Sequence, residues 1–188
     1  LVAMAPSPWS EIGRVADTHG CASALLGLPD LDELEGGEVE RLLGDLGADV
    51  AVLRAPEGWR LDQVQRVLVP VGGRGGQDEL RARLLGSLWR TRAPEVTFLR
   101  VVDPERSNQE CAQMRRSLEV LAAEEAPGRP NALVIRSDDV LSAVAERAAE
   151  CDLLVLGLES RRGRPRFGRV AKEIARRTDT ATILISRR

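Results

Sequence analysis

Gly72-Gly73-Arg74-Gly75-Gly76 is the segment of this sequence with the plainest capacity for ligand chemistry. Glycine admits the positive-φ turns that aim successive backbone N–H groups at an anion, and the pattern predicts a helix just after it. The motif has neither the Lys-Ser/Thr ending of a Walker P-loop nor the Ser-Gly-Gly-x-Asp-Ser order of enzymes that cleave at a nucleotide α-phosphate. As a phosphate motif it is weak, and the same glycines suit a flexible strand-to-helix turn left after ligand binding decayed. Two charge runs offer a second kind of chemistry. Asp30, Asp32, Glu33, Glu35, Glu38 and Glu40 form an acidic stretch, whereas Arg161, Arg162, Arg164, Arg166, Arg169 and Lys172 form a basic one. They read either as two solvated faces or as complementary contacts, the basic run being also suited to an anionic ligand or lipid headgroup.

Residues for catalysis are sparse. His19 is the only histidine, precedes Cys21 at a predicted helix end, and has no Ser or Asp partner evident in the sequence. Asp138-Asp139 suits helix capping rather than a carboxylate pair. Cys21, Cys111 and Cys151 are too few and too dispersed for a disulfide framework or a zinc cage, and read as free thiols of a reducing compartment. Trp59, in a stretch containing Pro56 and Gly58, is expected to anchor one part of the chain against another.

Composition bounds the partners. A chain of 188 residues that is 43% hydrophobic and 30% charged has ample material for one or two folded domains. No run approaches the roughly 20 apolar residues of a membrane span, and residues 1–8 lack the basic flank and apolar stretch of a signal peptide. A net charge of −2 argues against nucleic acid, because phosphate binding depends on a concentrated excess of Lys and Arg. The basic run also lacks interleaved aromatics apart from Phe167.

The elements that must position these residues alternate. Arg66–Val71, Val96–Val101, Ala132–Arg136, Asp152–Gly157 and Ala181–Ser186 are nearly continuous apolar runs, as in strands covered on both faces. Between them lie helical stripes: Leu80, Leu84, Leu85 and Leu88; Met114, Leu118 and Leu121; Val140, Ala143, Val144 and Arg147; Val170, Ile174 and Ala175. Ser137, Asp138 and Asp139 offer a cap for the third helix, and residues 127–130 (Pro-Gly-Arg-Pro) a turn before the third strand. This predicts an α/β domain with a doubly wound parallel five-stranded sheet.

A partial repeat precedes it. Residues 1–28 and 133–158 both carry Val-Ala on a helical stretch, then Cys, then an apolar run ending in Leu-Gly-Leu. Val39, Leu42, Leu43 and Leu46 continue the parallel with a helical stripe, and Asp49–Leu53 stands where Ala181–Ile185 stands. Residues 1–55 are therefore expected to be a degenerate half copy of strands three to five, 56–64 a linker, and 65–188 a complete domain. A half copy without its own first two strands leaves a gap in its sheet, so the native chain is expected to continue upstream of Leu1.

Val67-Leu68-Val69-Pro70-Val71 before the glycine turn, Val101-Val102-Asp103, and the Asp152–Gly157 run together resemble the universal stress protein pattern. The resemblance is good over 65–188 and partial over 1–55, and it implies strand order 3-2-1-4-5. The tandem arrangement, with Ser7-Pro8-Trp9 opening a helix, is similar to the cytosolic C-terminal tails of bacterial amino-acid permeases and cation–chloride cotransporters.

ATP-binding members of that family carry an Asp after the first strand and a Gly-x-x-Gly, nine-residue, Gly-Ser/Thr loop after the fourth. Here Gly72 occupies the Asp position, Gly157 keeps the first loop position, Ser160 replaces the second glycine, and Arg169 takes the place of the hydroxyl residue. The spacer to Gly168 is two residues short and contains Gly163. The resemblance thus implies a degenerate nucleotide or anion site at Gly72, Gly73, Val102, Gly157, Ser160, Gly163, Gly168 and Arg169, with no firm cofactor, ATP or another anion being the ligand to consider. No metal site is expected. The resulting expectation is a non-catalytic cytoplasmic regulatory and dimerisation domain, at the cytosolic face of the inner membrane as the tail of an amino-acid or cation transporter. It would self-associate through the fifth strands as a homodimer, with the transporter domain upstream in the same polypeptide. The alternative is a stand-alone nucleotide-binding universal stress protein.

Overall fold

The structure, a computed structural model, describes residues 8–28, 45–72, 78–157, 159–161, 164–166 and 169–186. Its centre is a sheet of largely apolar strands, the middle ones covered on both faces. In chain order they are β1 (Ser23–Leu28), β2 (Asp49–Arg54), β3 (Arg66–Pro70), β4 (Glu95–Val102), β5 (Asn131–Arg136), β6 (Leu153–Gly157) and β9 (Ala181–Ser186). A separate antiparallel pair, β7 (Glu159–Arg161) and β8 (Arg164–Arg166), lies between β6 and β9 in sequence. The helices are α1 (Pro8–Thr18), α2 (Asp78–Arg92), α3 (Asn108–Glu125), α4 (Val140–Ala148) and α5 (Arg169–Arg177).

The seven-stranded sheet runs β1-β2-β9-β6-β3-β4-β5. Its last five strands have the order expected for residues 65–188, third-second-first-fourth-fifth read from β5, and pair parallel throughout. β1 and β2 extend it, parallel to each other, while β2 joins β9 antiparallel. The fifth strand of the 65–188 part, β9, therefore has an antiparallel neighbour, β2, within the same chain. Leu46 is buried in the core on the β2 approach, but the rest of the helical stripe at Val39 to Leu43, the acidic stretch 30–40 and residues 1–7 lie outside the described residues.

Strand alternation sorts the core into two layers. On one face Leu26, Leu28, Val50, Val52, Leu154, Leu156 and Leu184 meet α1 through Ala16, α4 through Val144 and Ala148, and α5 through Ile174 and Ala175. On the other, Val67, Val69, Phe98, Leu153, Val155 and Ile183 meet α2 through Leu80, Leu85 and Leu88, and α3 through Leu118 and Ala122. Val140 and Val170 are exposed instead of facing the core, since each sits in the first turn of its helix, ahead of the packed face.

Polar groups fix the helices. Ser107 caps α3 in a reciprocal box with Glu110, and Asp139 caps α4 by accepting from the Ser142 N–H at 3.0 Å. Arg81 of α2 and Glu125 of α3 form a buried two-pronged ion pair, with Nη2 donating to Oε1 at 2.6 Å and Nε to Oε2. Asp152, just before β6, accepts from the N–H groups of Gln65 at 3.0 Å and Arg66 at 2.8 Å, locking β6 to β3.

Candidate functional site

β3 and β6 are neighbours that belong to opposite directions of winding, and such a switch in strand order opens a crevice at the carboxyl ends of the strands. Pro70 sharpens the opening. The Val71 N–H points to β4, donating to the Leu99 carbonyl at 2.8 Å. Strand N–H groups alternate sides, so residue 70 is the one that would donate toward β6, and proline has no N–H. The ladder accordingly runs on between β3 and β4 as far as Pro70 opposite Leu99, but between β3 and β6 it is confined to Val67 opposite Leu153 and Leu68 opposite Leu154.

Gly72, Val102 and Gly157 stand at or just past the carboxyl ends of the adjacent strands β3, β4 and β6, so the fold does bring these three together. Gly72 is exposed, Gly157 half-buried and Val102 buried. Ser160 lies in β7, opposite Pro165 of β8, and Arg169 is the first residue of α5. Gly73, Gly163 and Gly168 lie outside the described residues. The β7–β8 hairpin replaces the open loop read from the sequence: the stretch after β6 turns back on itself in an antiparallel pair before α5 begins.

Position 72 carries glycine in place of a carboxylate. A side chain there would meet nothing within 4 Å, so Gly72 is not imposed by crowding. Asp103, past the end of β4, accepts from the Glu105 N–H at 2.8 Å and closes a local turn. His19 follows α1, its N–H bonded to the Val15 carbonyl at 3.0 Å. Among the described residues no cluster of His, Cys, Asp and Glu has metal-site geometry, and no helix is long and apolar enough to cross a membrane. Cys21, Cys111 and Cys151 are free thiols, and burial raises the Cys151 thiol above its ordinary value.

Apart from Trp59, nothing in the sequence pattern pointed to the contacts that join the two parts of the chain. Arg54 of β2 donates to the Thr178 carbonyl at 2.7 Å and the Ala175 carbonyl at 3.5 Å, at the end of α5. Arg83 of α2 meets Asp49 at 3.2 Å. Trp59 does anchor, as its position suggested: its Nε1–H donates to the Asp152 carbonyl at 3.2 Å, and it packs on the core layer that includes Ala51 and Leu53. A groove of about 390 Å³ lies away from the crevice, at the amino ends of β4 and β5.

No family model matches the sequence, and no curated protein matches it. Solved structures do match. A universal stress protein from Archaeoglobus fulgidus superposes with a TM-score of 0.59 at 17% identity, covering 98% of this chain and 67% of its own. The cytoplasmic domain of a prokaryotic cation chloride cotransporter gives 0.64 at 13% identity, covering 92% and 69% respectively. A shorter universal stress protein from A. fulgidus, solved in complex with dAMP, gives 0.51 at 16% identity, covering 65% of this chain and 98% of its own. The chain thus has a universal stress protein-like fold. That fold is shared by stand-alone proteins and by a transporter's cytoplasmic domain.

Proposed function

We propose that the chain is a non-catalytic regulatory and pairing domain on the cytosolic side of an amino-acid or cation transporter, with a lapsed nucleotide site. The observation that carries this reading is the β2–β9 ladder. Aligning Val50–Arg54 with Thr182–Ser186 as repeat-related runs puts equivalent residues, Val52 and Leu184, directly opposite each other. That register is the one a two-fold relation generates, so the pairing has the form of a dimer contact built into one polypeptide.

The half-copy reading of residues 1–55 has further support. α1, β1 and β2 follow one another as α4, β6 and β9 do, with β1 parallel and adjacent to β2 as β6 is to β9. Leu26-Gly27-Leu28 then corresponds to Leu156-Gly157-Leu158, and Leu25 to Val155. Val155 is 1% exposed beneath α2, whereas Leu25 is 65% exposed. By this correspondence the edge of β1 that has no neighbouring strand among the described residues is the counterpart of the β6 edge that holds β3. Ser23–Leu28 contains no charge and no proline to blunt it. β2 and β9 each already have two neighbours, so association into a homodimer would use this β1 edge and face.

Loss of the nucleotide site rests on Gly72 and on the hairpin after β6. Calorimetric titration with ATP separates the two functions. The pairing domain shows no low-micromolar binding, whereas low-micromolar affinity would favour the stand-alone nucleotide-binding stress protein and overturn this reading.

A further inference from the structure

The groove of about 390 Å³ sits at the end of the sheet opposite the β3–β6 crevice, and its lining is chemically specific. Its floor and walls are the Trp89 indole with Pro94, Pro127 and Pro130. Three prolines offer apolar surface and no backbone N–H, so the walls present little to hold a polar group. The indole is held in place by Gly128, whose backbone it overlies: a Cβ at that position would come within 2.1 Å of Trp89 Cη2. Two opposite charges line the same groove without pairing to each other. Arg129 makes no hydrogen bond or ion pair among the described residues. Glu95 uses Oε1 to accept from Asn131 Nδ2 at 2.6 Å, and its second oxygen makes no hydrogen bond among the described residues.

We propose that this groove binds a free α-amino acid with an apolar side chain. The ligand's carboxylate meets the forked donors of Arg129, its ammonium meets Glu95, and its side chain lies on the indole and proline surface. A cation and an anion flanking an apolar floor complement a zwitterion. A purely anionic ligand would be repelled by Glu95, and a purely cationic one by Arg129. The volume is within the range of small-molecule sites. The proposal is independent of the transporter reading and of the state of the β3–β6 crevice.

The test is a titration of the chain with L-leucine, followed by the NMR resonances of the Trp89 indole N–H and the Gly128 amide. Saturable shifts at both are expected. Arg129→Ala and Glu95→Gln should each weaken binding by about tenfold or more, the scale of one charge-assisted hydrogen bond. Leucinamide, lacking the carboxylate, and N-acetyl-leucine, lacking the ammonium, should be weakened to a similar degree. Both substituted residues are exposed, and an unchanged spectrum elsewhere confirms folding; Arg129→Lys, with one compact ammonium, serves if the alanine variant is perturbed and should bind more weakly than the parent. No saturable shift up to the solubility of leucine, binding of either blocked analogue as tight as that of leucine, or indifference to both charge substitutions would overturn the proposal.

Discussion

Val52 stands directly opposite Leu184 at the middle of the β2–β9 ladder, and the outer pairs are reciprocal, with Val50 opposite Ser186 and Arg54 opposite Thr182. Val52 and Leu184 are both buried on the α1–α4–α5 side of the sheet. The ladder therefore continues one core layer from the first part of the chain into the second, and side chains around it secure the join.

Arg54 is one of those side chains. It places a cation at the carboxyl end of α5, where unpaired carbonyls and the helix dipole favour positive charge. Arg54→Ala should lower unfolding stability by about 1.5–3 kcal/mol, the scale of a hydrogen bond to a charged group. In denaturant melts the midpoint should fall while the slope stays constant. An unchanged midpoint would mean that Arg54 contributes nothing to the join.

Gly128 should resist substitution for two separable reasons. Its φ of +85° suits glycine, and Trp89 occupies the space a side chain needs. Gly128→Ala should cost about 2–4 kcal/mol from left-handed strain and overpacking together. Adding Trp89→Leu should relieve only the steric part, so the double variant should be less destabilised than the two single effects summed. Simple additivity in thermal melts would show that the clash is absent.

Acid should loosen the start of α3. The Ser107 backbone N–H, and then Arg106, hold the Glu110 carboxyl well below its ordinary 4.5, at about 2. A carboxyl depressed on folding stabilises the protein fully above the unfolded value, and that contribution is lost as pH falls through the folded one. The Asp139 carboxyl, held down by the Ser142 side chain, shifts in the same direction. Carboxyl NMR titration should show Glu110 ionised well below pH 4, and Glu110→Gln should remove part of the stability lost on acidification below about 4.5. Titration of Glu110 at its ordinary value would contradict the cap.

Much of the sheet was legible because its strands are unbroken apolar runs: five strands over 65–188 and the two at β1 and β2 all fall within or close to the runs that predict them. The placing of Gly72 and Gly157 at strand carboxyl ends was legible too, because each ends such a run. The polar fastenings were not. Arg54 meets Thr178, and Arg81 meets Glu125, across long stretches of chain, and side-chain charge carries no periodic signal that names a distant partner. Asp152 left one clue, a carboxylate placed immediately before a buried strand. The β7–β8 hairpin escaped because its Arg, Pro and Gly residues show no apolar alternation, so its pairing rests on the backbone alone.

Hydrogen exchange along β2 and β9, measured at two protein concentrations, tests most directly whether the two parts of one chain form a single paired unit. The account predicts that the ladder amides between Val50 and Leu53, and between Ile183 and Ser186, exchange slowly and together, with rates independent of concentration. Rapid exchange in β2 beside a protected β9, or protection that appears only at high concentration, would contradict it.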